Sequence, residues 1–558
     1  MKTILAAINA KYIHTNLAIR YIRACSPDYG FDLFEATINE NPLQAAWAIL
    51  SRKPDLVGFS CYIWNIDFTL KVCGVLKAAR PDMIIVLGGP EADFDWKGLM
   101  ERNDFIDYIL RGEGELSFRR FYEHIAFKKH GLSDIGGLCY RKSGSLKTNA
   151  KEDLIDLDIL PFPYEGYEQI DKNRIYYYES SRGCPFNCSY CLSSTIKGVR
   201  HRSIDRVKSE LMWFIERDVP LVKFIDRTFN SNKRYSMDIW SFLMEHAGNT
   251  RFHFEIEADL LDEEMLKLLS QAPKNLFQFE IGVQTTNNEV LKNINRVMDF
   301  SVLSSNIIKI VEQDNIQCHL DLIAGLPGEN MESFRMSFDD CMEIRPQMLQ
   351  LGFLKVLKGS PMMDFVERYD LRYMPCAPYQ ILSTRDMGLE DMGLLMKIDT
   401  MVEDFYNSGI LHMTMDIVME KSKSKFGFFK AFSFFGEHKG YFSRRFDIKD
   451  KFGLLYDFAC CLLPKEQLKQ LMALDYLIST KKAYLPEFLK LEMDEGCKIE
   501  IMKLKEKLHK DNQRLEVFIP MTIRPVKSGR GYNLQGWKGI CQVNVKNGIT
   551  VFHEMKCC

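Results

Sequence analysis

Long hydrophobic runs are missing from this chain. Its apolar stretches, such as Leu56–Phe59 and Met83–Leu87, are strand-sized, far short of the roughly 20 residues that cross a bilayer as a helix. An excess of charge of one sign is missing too. The 73 Lys+Arg and 75 Asp+Glu leave a formal net charge of -2, so no global basic field points to nucleic acid. No internal repeat and no low-complexity tract breaks the sequence. The start, Met1-Lys2-Thr3-Ile4-Leu5, runs straight into a strand-like pattern without a signal-peptide cleavage pattern, and the expected compartment is the cytoplasm. With 46% hydrophobic and 27% charged residues in 558, the composition is that of an ordinary globular protein. The length predicts about three or four domains.

Cysteine is plentiful, at 16 residues, and in a reducing compartment it needs a reason only where it clusters. Cys25, Cys61, Cys73, Cys139, Cys318, Cys341, Cys376, Cys497 and Cys541 are scattered and read as small hydrophobes. Cys184, Cys188 and Cys191 are different.

Residues 1–130 alternate strands (Thr3–Ile8, Phe31–Ile38, Leu56–Cys61, Met83–Leu87, Tyr108–Leu110) with helices (Leu17–Cys25, Pro42–Ser51, Ile66–Ala79). This predicts a doubly wound, Rossmann-like parallel sheet. Ligands of such sheets sit past the strand carboxyl ends, at Asn9–Thr15, Ser60–Asn65, Gly88–Glu91 and Arg111–Glu115. Residues 131–172, with one small strand at Gly136–Arg141 and the run Leu160-Pro161-Phe162-Pro163-Tyr164, read as a linker. A second series occupies 173–372, with strands at Arg174–Glu179, Leu221–Ile225, Phe252–Glu257, Leu276–Gly282, Cys318–Ile323 and Leu349–Val356. Six βα units predict a partial (βα)6 barrel of the TIM type, with its site at the strand C-termini. Residues 373–558 read as a mainly helical domain that ends in short strands at Leu515–Ile519, Gln542–Val545 and Gly548–Phe552.

The segment Ser181-Arg182-Gly183-Cys184-Pro185-Phe186-Asn187-Cys188-Ser189-Tyr190-Cys191 has the spacing C-x3-C-x2-C and follows the first strand of the second series. Thiolates so spaced are soft ligands for one iron–sulfur cluster. A zinc knuckle prefers paired C-x2-C elements and a fourth ligand, and none lies nearby. The segment resembles the cluster motif of the radical S-adenosylmethionine (SAM) superfamily. The resemblance implies that Cys184, Cys188 and Cys191 hold a [4Fe-4S] cluster whose open iron chelates SAM, with Tyr190 beside adenine. It also implies an electron donor such as flavodoxin or ferredoxin. Further positions match in order along the barrel. They are Asp226, in Asp226-Arg227 where many members carry two acids; Glu255 and Glu257; Gln284; Arg296, paired with the SAM carboxylate; and Asp321–Gly328, near adenine.

The first strand is not followed by the G-x-G-x-x-G turn of a dinucleotide site. The N-terminal series resembles instead the cobalamin-binding domain fused ahead of many radical SAM barrels, on Gly58–Tyr62, Leu87–Ala92 and Arg111–Glu115. Ser60, Gly88, Gly89, Glu113 and Glu115 are the implied cobalamin contacts. The D-x-H-x-x-G motif that supplies a histidine to cobalt is lacking; His14, in the loop after the first strand, does not stand in it. The C-terminal part resembles a domain of unknown function that follows some of these proteins. Its aromatic stretch Phe426–Phe435 reads as helical core, and the doublets Cys460-Cys461 and Cys557-Cys558 show no second-cluster spacing.

The combined resemblance implies a cobalamin-dependent radical SAM methyltransferase acting on an unactivated carbon. One SAM yields the 5′-deoxyadenosyl radical, and a second methylates cobalamin, which passes the methyl group to the substrate radical. Two alternatives stay open: a cobalamin-assisted rearrangement or cyclisation without methyl transfer, and a non-catalytic sensor of cobalamin and cluster. Methylthiotransferases, which share the layout, need three converging N-terminal cysteines, and Cys25 and Cys73 fall inside helical patterns.

Overall fold

The computed structural model describes residues 1–166, 170–506, 516–528 and 531–554. Seven strands form the N-terminal sheet: β1 (Thr3–Asn9), β2 (Asp32–Thr37), β3 (Leu56–Ser60), β4 (Ile84–Gly88), β5 (Tyr108–Leu110), β6 (Leu138–Lys142) and β7 (Ser145–Thr148). Their order is β2-β1-β3-β4-β5-β6-β7. The first five are parallel, and β6 and β7 add antiparallel. Every residue of β1 and β3 is buried, as expected of central strands covered on both faces by helices. The strand order reverses between β1 and β3, which opens a crevice at their carboxyl ends. The β6–β7 hairpin shows that part of the stretch read as a linker is the edge of this sheet. Its pairing joins segments that only the fold brings together.

The second sheet consists of β8 (Tyr176–Tyr178), β11 (Leu221–Phe224), β12 (Arg251–Ile256), β13 (Phe277–Gln284), β14 (Gln317–Ala324) and β15 (Met348–Phe353). They lie in the order β15-β14-β13-β12-β11-β8, all parallel, which is the expected six-stranded partial barrel. Along β13 and β14 burial alternates residue by residue. Phe277, Phe279, Ile281 and Val283 are wholly buried, whereas Gln278, Glu280, Gly282 and Gln284 occupy the other face, as the two-residue period of a strand requires. The inner face is therefore polar. A short hairpin, β9 (Ser181–Cys184) with β10 (Gly198–His201), stands at the mouth.

Beyond β16 (Arg372–Tyr373) and β17 (Ile381–Ser383) the chain is mainly helical, and it ends in an antiparallel sheet of β18 (Glu516–Ser528), β19 (Gly531–Asn544) and β20 (Thr550–Glu554). β18 and β19 are longer than their local pattern predicts, because they pair with each other along nearly their whole length. Phe426, Phe428, Phe429 and Phe432 are buried. Phe426 and Phe429 meet Phe338 of a barrel helix edge-on, with ring centroids 5.5 and 5.9 Å away. The aromatic stretch is thus core, continuous with that of the barrel. No helix among the described residues is long and apolar enough to cross a membrane.

One buried carboxylate ties this domain together. Asp475 accepts from the backbone N–H groups of Met413 and Thr414 at 3.2 and 2.8 Å and from the Thr414 hydroxyl at 2.6 Å. It caps the helix His412–Met419 from a different helix. Burial pushes its pKa up from 3.8 to about 7, against the pull of the Thr414 hydrogen bonds. Between those values the folded protein keeps a proton that the unfolded chain has released, so Asp475 makes unfolding easier as pH rises from about 4 to about 7. The urea midpoint of Asp475→Asn relative to that of the wild type will therefore rise across that range, because the variant lacks this contribution. Equal slopes in the two proteins would refute it.

Candidate active site

The cluster segment begins at the end of β9. Gly183 has φ 111°, and a side chain there would overlap the Gly198 carbonyl of β10. Only glycine lets the two strands close here. Gly183→Ala will therefore open the hairpin and displace Cys184. Its iron content after anaerobic reconstitution is expected to drop by more than half; iron binding equal to wild type would show that the hairpin tolerates the side chain. Beneath the hairpin lies Asp226, at the end of β11. Its carboxylate accepts from Ser180 N–H at 3.0 Å and from the Ser180 and Ser181 hydroxyls at 2.5 and 2.6 Å. Burial pushes its pKa up to about 6 in spite of these bonds. Asp226 thus braces the strand that carries Cys184.

All three motif cysteines are free thiols. Cys184 Sγ lies 3.5 Å from Thr228 Oγ1. Cys191 Sγ accepts from Ser193 N–H at 3.4 Å. Cys188 is buried, with its thiol 3.9 Å from Arg296 Nη1; burial pushes that thiol up, against the pull of Arg296 and a hydrogen bond from Tyr190. Of the three thiols, Cys188 is the one with a cation in contact among the described residues, Arg296. Among the described residues no three His, Cys, Asp or Glu side chains gather tightly enough for one metal ion. A cubane cluster, by contrast, takes each thiolate on a different iron.

A second group of predicted residues meets behind Cys188. Arg296 Nη2 donates to both Glu257 oxygens, at 2.8 and 2.9 Å, and to the Gly282 carbonyl. Burial pushes the Glu257 carboxyl up, and Arg296 opposes the rise. Gln284 sits at φ 67°, in the irregularity between Gly282 and Gln284 where the pairing with β14 shifts. Such a bulge re-aims a side chain at the cost of strain. Gly282 leaves space for the Gln284 amide, since a side chain there would overlap it. Gln284 Oε1, Arg296 Nε and Asp321 Oδ1 are buried without a partner among the described residues. Buried polar atoms pair when they can, so this arrangement has donors and acceptors to offer a polar ligand.

Between the β1/β3 crevice and the barrel mouth lies a cavity of about 660 Å³. Ser60, Gly88, Gly89 and Glu113 line it from one side, and Arg182, Gly183 and Arg227 from the other. At Gly89 the φ of 96° and the backbone of Cys61, against which a side chain would press, require glycine. Ser60 accepts from Asn16 Nδ2 at 3.2 Å. His14 also lines the cavity, its Nδ1 2.7 Å from the Tyr177 hydroxyl. Glu113 and Glu115 reach the barrel. Arg182 pairs with Glu113, Glu115 and Glu179 at 3.2, 2.7 and 2.8 Å, and Arg200 also holds Glu113. Sequence reasoning found the two glutamates but missed Arg182, although it stands two residues before Cys184.

Three segments match known domain families: residues 3–121 the B12 binding domain, residues 178–341 the Radical SAM superfamily, and residues 367–528 a protein of unknown function, DUF4080. The chain joins a B12 binding domain to a radical SAM domain. It is 26% identical over 377 residues to the cobalamin-dependent radical SAM methyltransferase TokK of Streptomyces tokunonensis, which covers 63% of this chain and 55% of TokK. The chain thus spans little more than half of that relative. An anaerobic magnesium-protoporphyrin IX monomethyl ester cyclase of Rubrivivax gelatinosus is 24% identical over 412 residues, covering 69% of this chain and 72% of the cyclase. Among solved structures, the cobalamin-dependent SAM radical enzyme OxsB with aqua-cobalamin and SAM bound superposes with a TM-score of 0.59 at 15% identity, over 92% of this chain and 82% of OxsB. That likeness shows the fold.

The other cysteines match the bland reading. Cys25, Cys61, Cys73, Cys139, Cys318, Cys341, Cys497 and Cys541 are buried, and only Cys376 of the scattered set is exposed. Cys61 and Cys73 share one core layer, while Cys25 lies in another, so the three do not converge. The Cys460 and Cys461 thiols each donate to a carbonyl three residues earlier, at 3.2 and 3.3 Å. Cys557 and Cys558 lie outside the described residues.

Proposed function

We propose that this protein is a cobalamin-dependent radical SAM methyltransferase. The observation that carries the reading is the shared cavity, which brings the carboxyl ends of the N-terminal sheet against the loop of Cys184. Cys184, Cys188 and Cys191 hold the [4Fe-4S] cluster. Tyr190, Glu257, Gln284 and Arg296 form the SAM end of the site, where the unpartnered Gln284 and Arg296 atoms fit a polar ligand. Ser60, Gly88 and Gly89 form the wall for cobalamin. When bound, cluster and SAM supply a carbon-centred radical, and cobalamin supplies a methyl carrier.

The chain's own part is placement and exclusion of water. Asp226 and Gly183 fix the strand that ends in Cys184. Arg182, through Glu113 and Glu115, holds the two domains face to face, so both glutamates act as positioning residues. Burial lowers the His14 pKa from its usual value, and Lys11 and Lys223 act in the same direction. The domains are assigned to 1–130, 173–372 and 373–558, and the connection 131–172 contributes an edge to the first sheet. In this reading the protein works in the cytoplasm with flavodoxin or ferredoxin as electron donor.

The test is anaerobic reconstitution followed by incubation with methyl-labelled SAM, a reductant and the small-molecule extract of a strain lacking this protein. Labelled product together with 5′-deoxyadenosine supports methyl transfer. Product without label would favour a cyclisation or rearrangement, a reading that the cyclase among its relatives keeps alive. Absence of 5′-deoxyadenosine from the fully loaded protein would refute both.

A further inference from the structure

Most charged groups that line the cavity are spent on one another. Arg182 is shared among Glu113, Glu115 and Glu179. Arg296, behind Cys188, is engaged by Glu257 and a carbonyl. Lys223, on the polar inner face of the barrel, is paired with Glu280 at 2.9 Å. Arg227 is the exception. It stands at the carboxyl end of β11, where the cavity meets the barrel. Its side chain is 58% exposed, and its one ion pair among the described residues is Glu255 at 3.9 Å, beyond hydrogen-bond range. No described residue accepts a hydrogen bond from its guanidinium. It lines the cavity together with Gly183, the residue that precedes Cys184.

We propose that Arg227 is an anion-recognition residue, receiving a carboxylate or phosphate group of a molecule bound in the cavity. The inference rests on the reading of this cavity as the reaction chamber. A guanidinium presents five N–H donors in a planar fork that matches these anions two bonds at a time. No described residue saturates it, in contrast to Arg182, which three carboxylates share. Arg296 was expected from sequence to take the SAM carboxylate, but Glu257 already occupies one of its nitrogens. Two sources supply such an anion: the carboxylate of SAM itself, or an acidic group on the substrate. Either gives a charge-assisted contact worth about 1.5–3 kcal/mol, or about tenfold or more in affinity.

Two measurements on the cofactor-loaded protein distinguish the sources. The first is equilibrium binding of SAM to wild type, Arg227→Gln and Arg227→Lys. The second is modification by phenylglyoxal, read at Arg227 by peptide mass spectrometry, with and without inorganic phosphate or succinate as probe. Arg227 is expected to be labelled faster than Arg182 and Arg296. Weakening of SAM binding by about tenfold in Arg227→Gln, with partial recovery in Arg227→Lys, assigns the anion to SAM. Unchanged SAM affinity with protection of Arg227 by phosphate or succinate assigns it to an acidic substrate. Unchanged SAM affinity together with no protection by either probe overturns the proposal. Iron content, cobalamin absorbance and 5′-deoxyadenosine formation by the same wild-type sample test the functional reading separately.

Discussion

Replacement of Cys184, Cys188 or Cys191 by alanine will leave a folded protein that no longer cleaves SAM. Cys184 and Cys191 are only half-buried and make few contacts in the core. Cys188 is buried, so serine there keeps the volume and serves as the second variant. Loss of one thiolate out of three removes a ligand bond that is not replaced by water of equal strength. A cost of about 4 kcal/mol at the cluster corresponds to about a thousandfold in rate. Iron content, the charge-transfer absorbance of the cluster and 5′-deoxyadenosine formation will fall together, while the far-ultraviolet dichroism stays that of wild type. A variant with wild-type cluster absorbance and wild-type SAM cleavage would refute the cluster assignment.

The second large effect is expected at Arg182. Its side chain is 18% exposed and faces Glu113, Glu115 and Glu179, which are 11, 8 and 7% exposed. The cation is what makes three buried carboxylates tolerable. Burial alone would raise the Glu113 carboxyl, but the Arg200 hydrogen bond and the Arg182 charge hold it below its usual range. Arg182→Ala leaves like charges together without their partner, at a cost of about 3–5 kcal/mol. The contact will loosen at the turn Gly112–Glu115, while the Glu91–Tyr379, Asp95–Lys358 and Glu35–Arg174 pairs still join the two parts. Hydrogen exchange will rise at that turn and in β9, and methyl transfer will fall further than SAM cleavage, because the cysteines themselves remain. Arg182→Lys keeps the charge but not the fork and will recover only part of the loss. Unchanged exchange in both segments would show that Arg182 does not hold the domains together.

The strands of both parallel sheets were legible in the sequence because each is a short apolar run bounded by turn residues, and that signal is local. The six barrel strands appear within a few residues of their expected bounds. The β6–β7 edge, the β9–β10 hairpin and the long β18–β19 pairing were not legible as such. Each depends on which partner a strand finds, and nothing in its own residues says so. The candidate site divides in the same way. The three cysteines declare themselves by spacing. Asp226, Glu113 and Glu115 were picked out as cofactor contacts, yet their oxygens meet Ser180, Ser181, Arg182 and Arg200. A carboxylate looks the same in a sequence whether it meets a ligand or an arginine.

The sequence by itself determined that three thiols stand close in the chain at the start of a βα series, that a doubly wound sheet precedes it, and that a mainly helical stretch follows. Those facts rest on spacing and periodicity, which chain connectivity alone enforces. Only the tertiary structure decided which charges are spent and which remain free. It joined Arg182 to three carboxylates from both domains, tied Arg296 to Glu257, and left Arg227 open toward the cavity. Charge pairing depends on distances between segments far apart in the chain, and burial sets how much each pair matters.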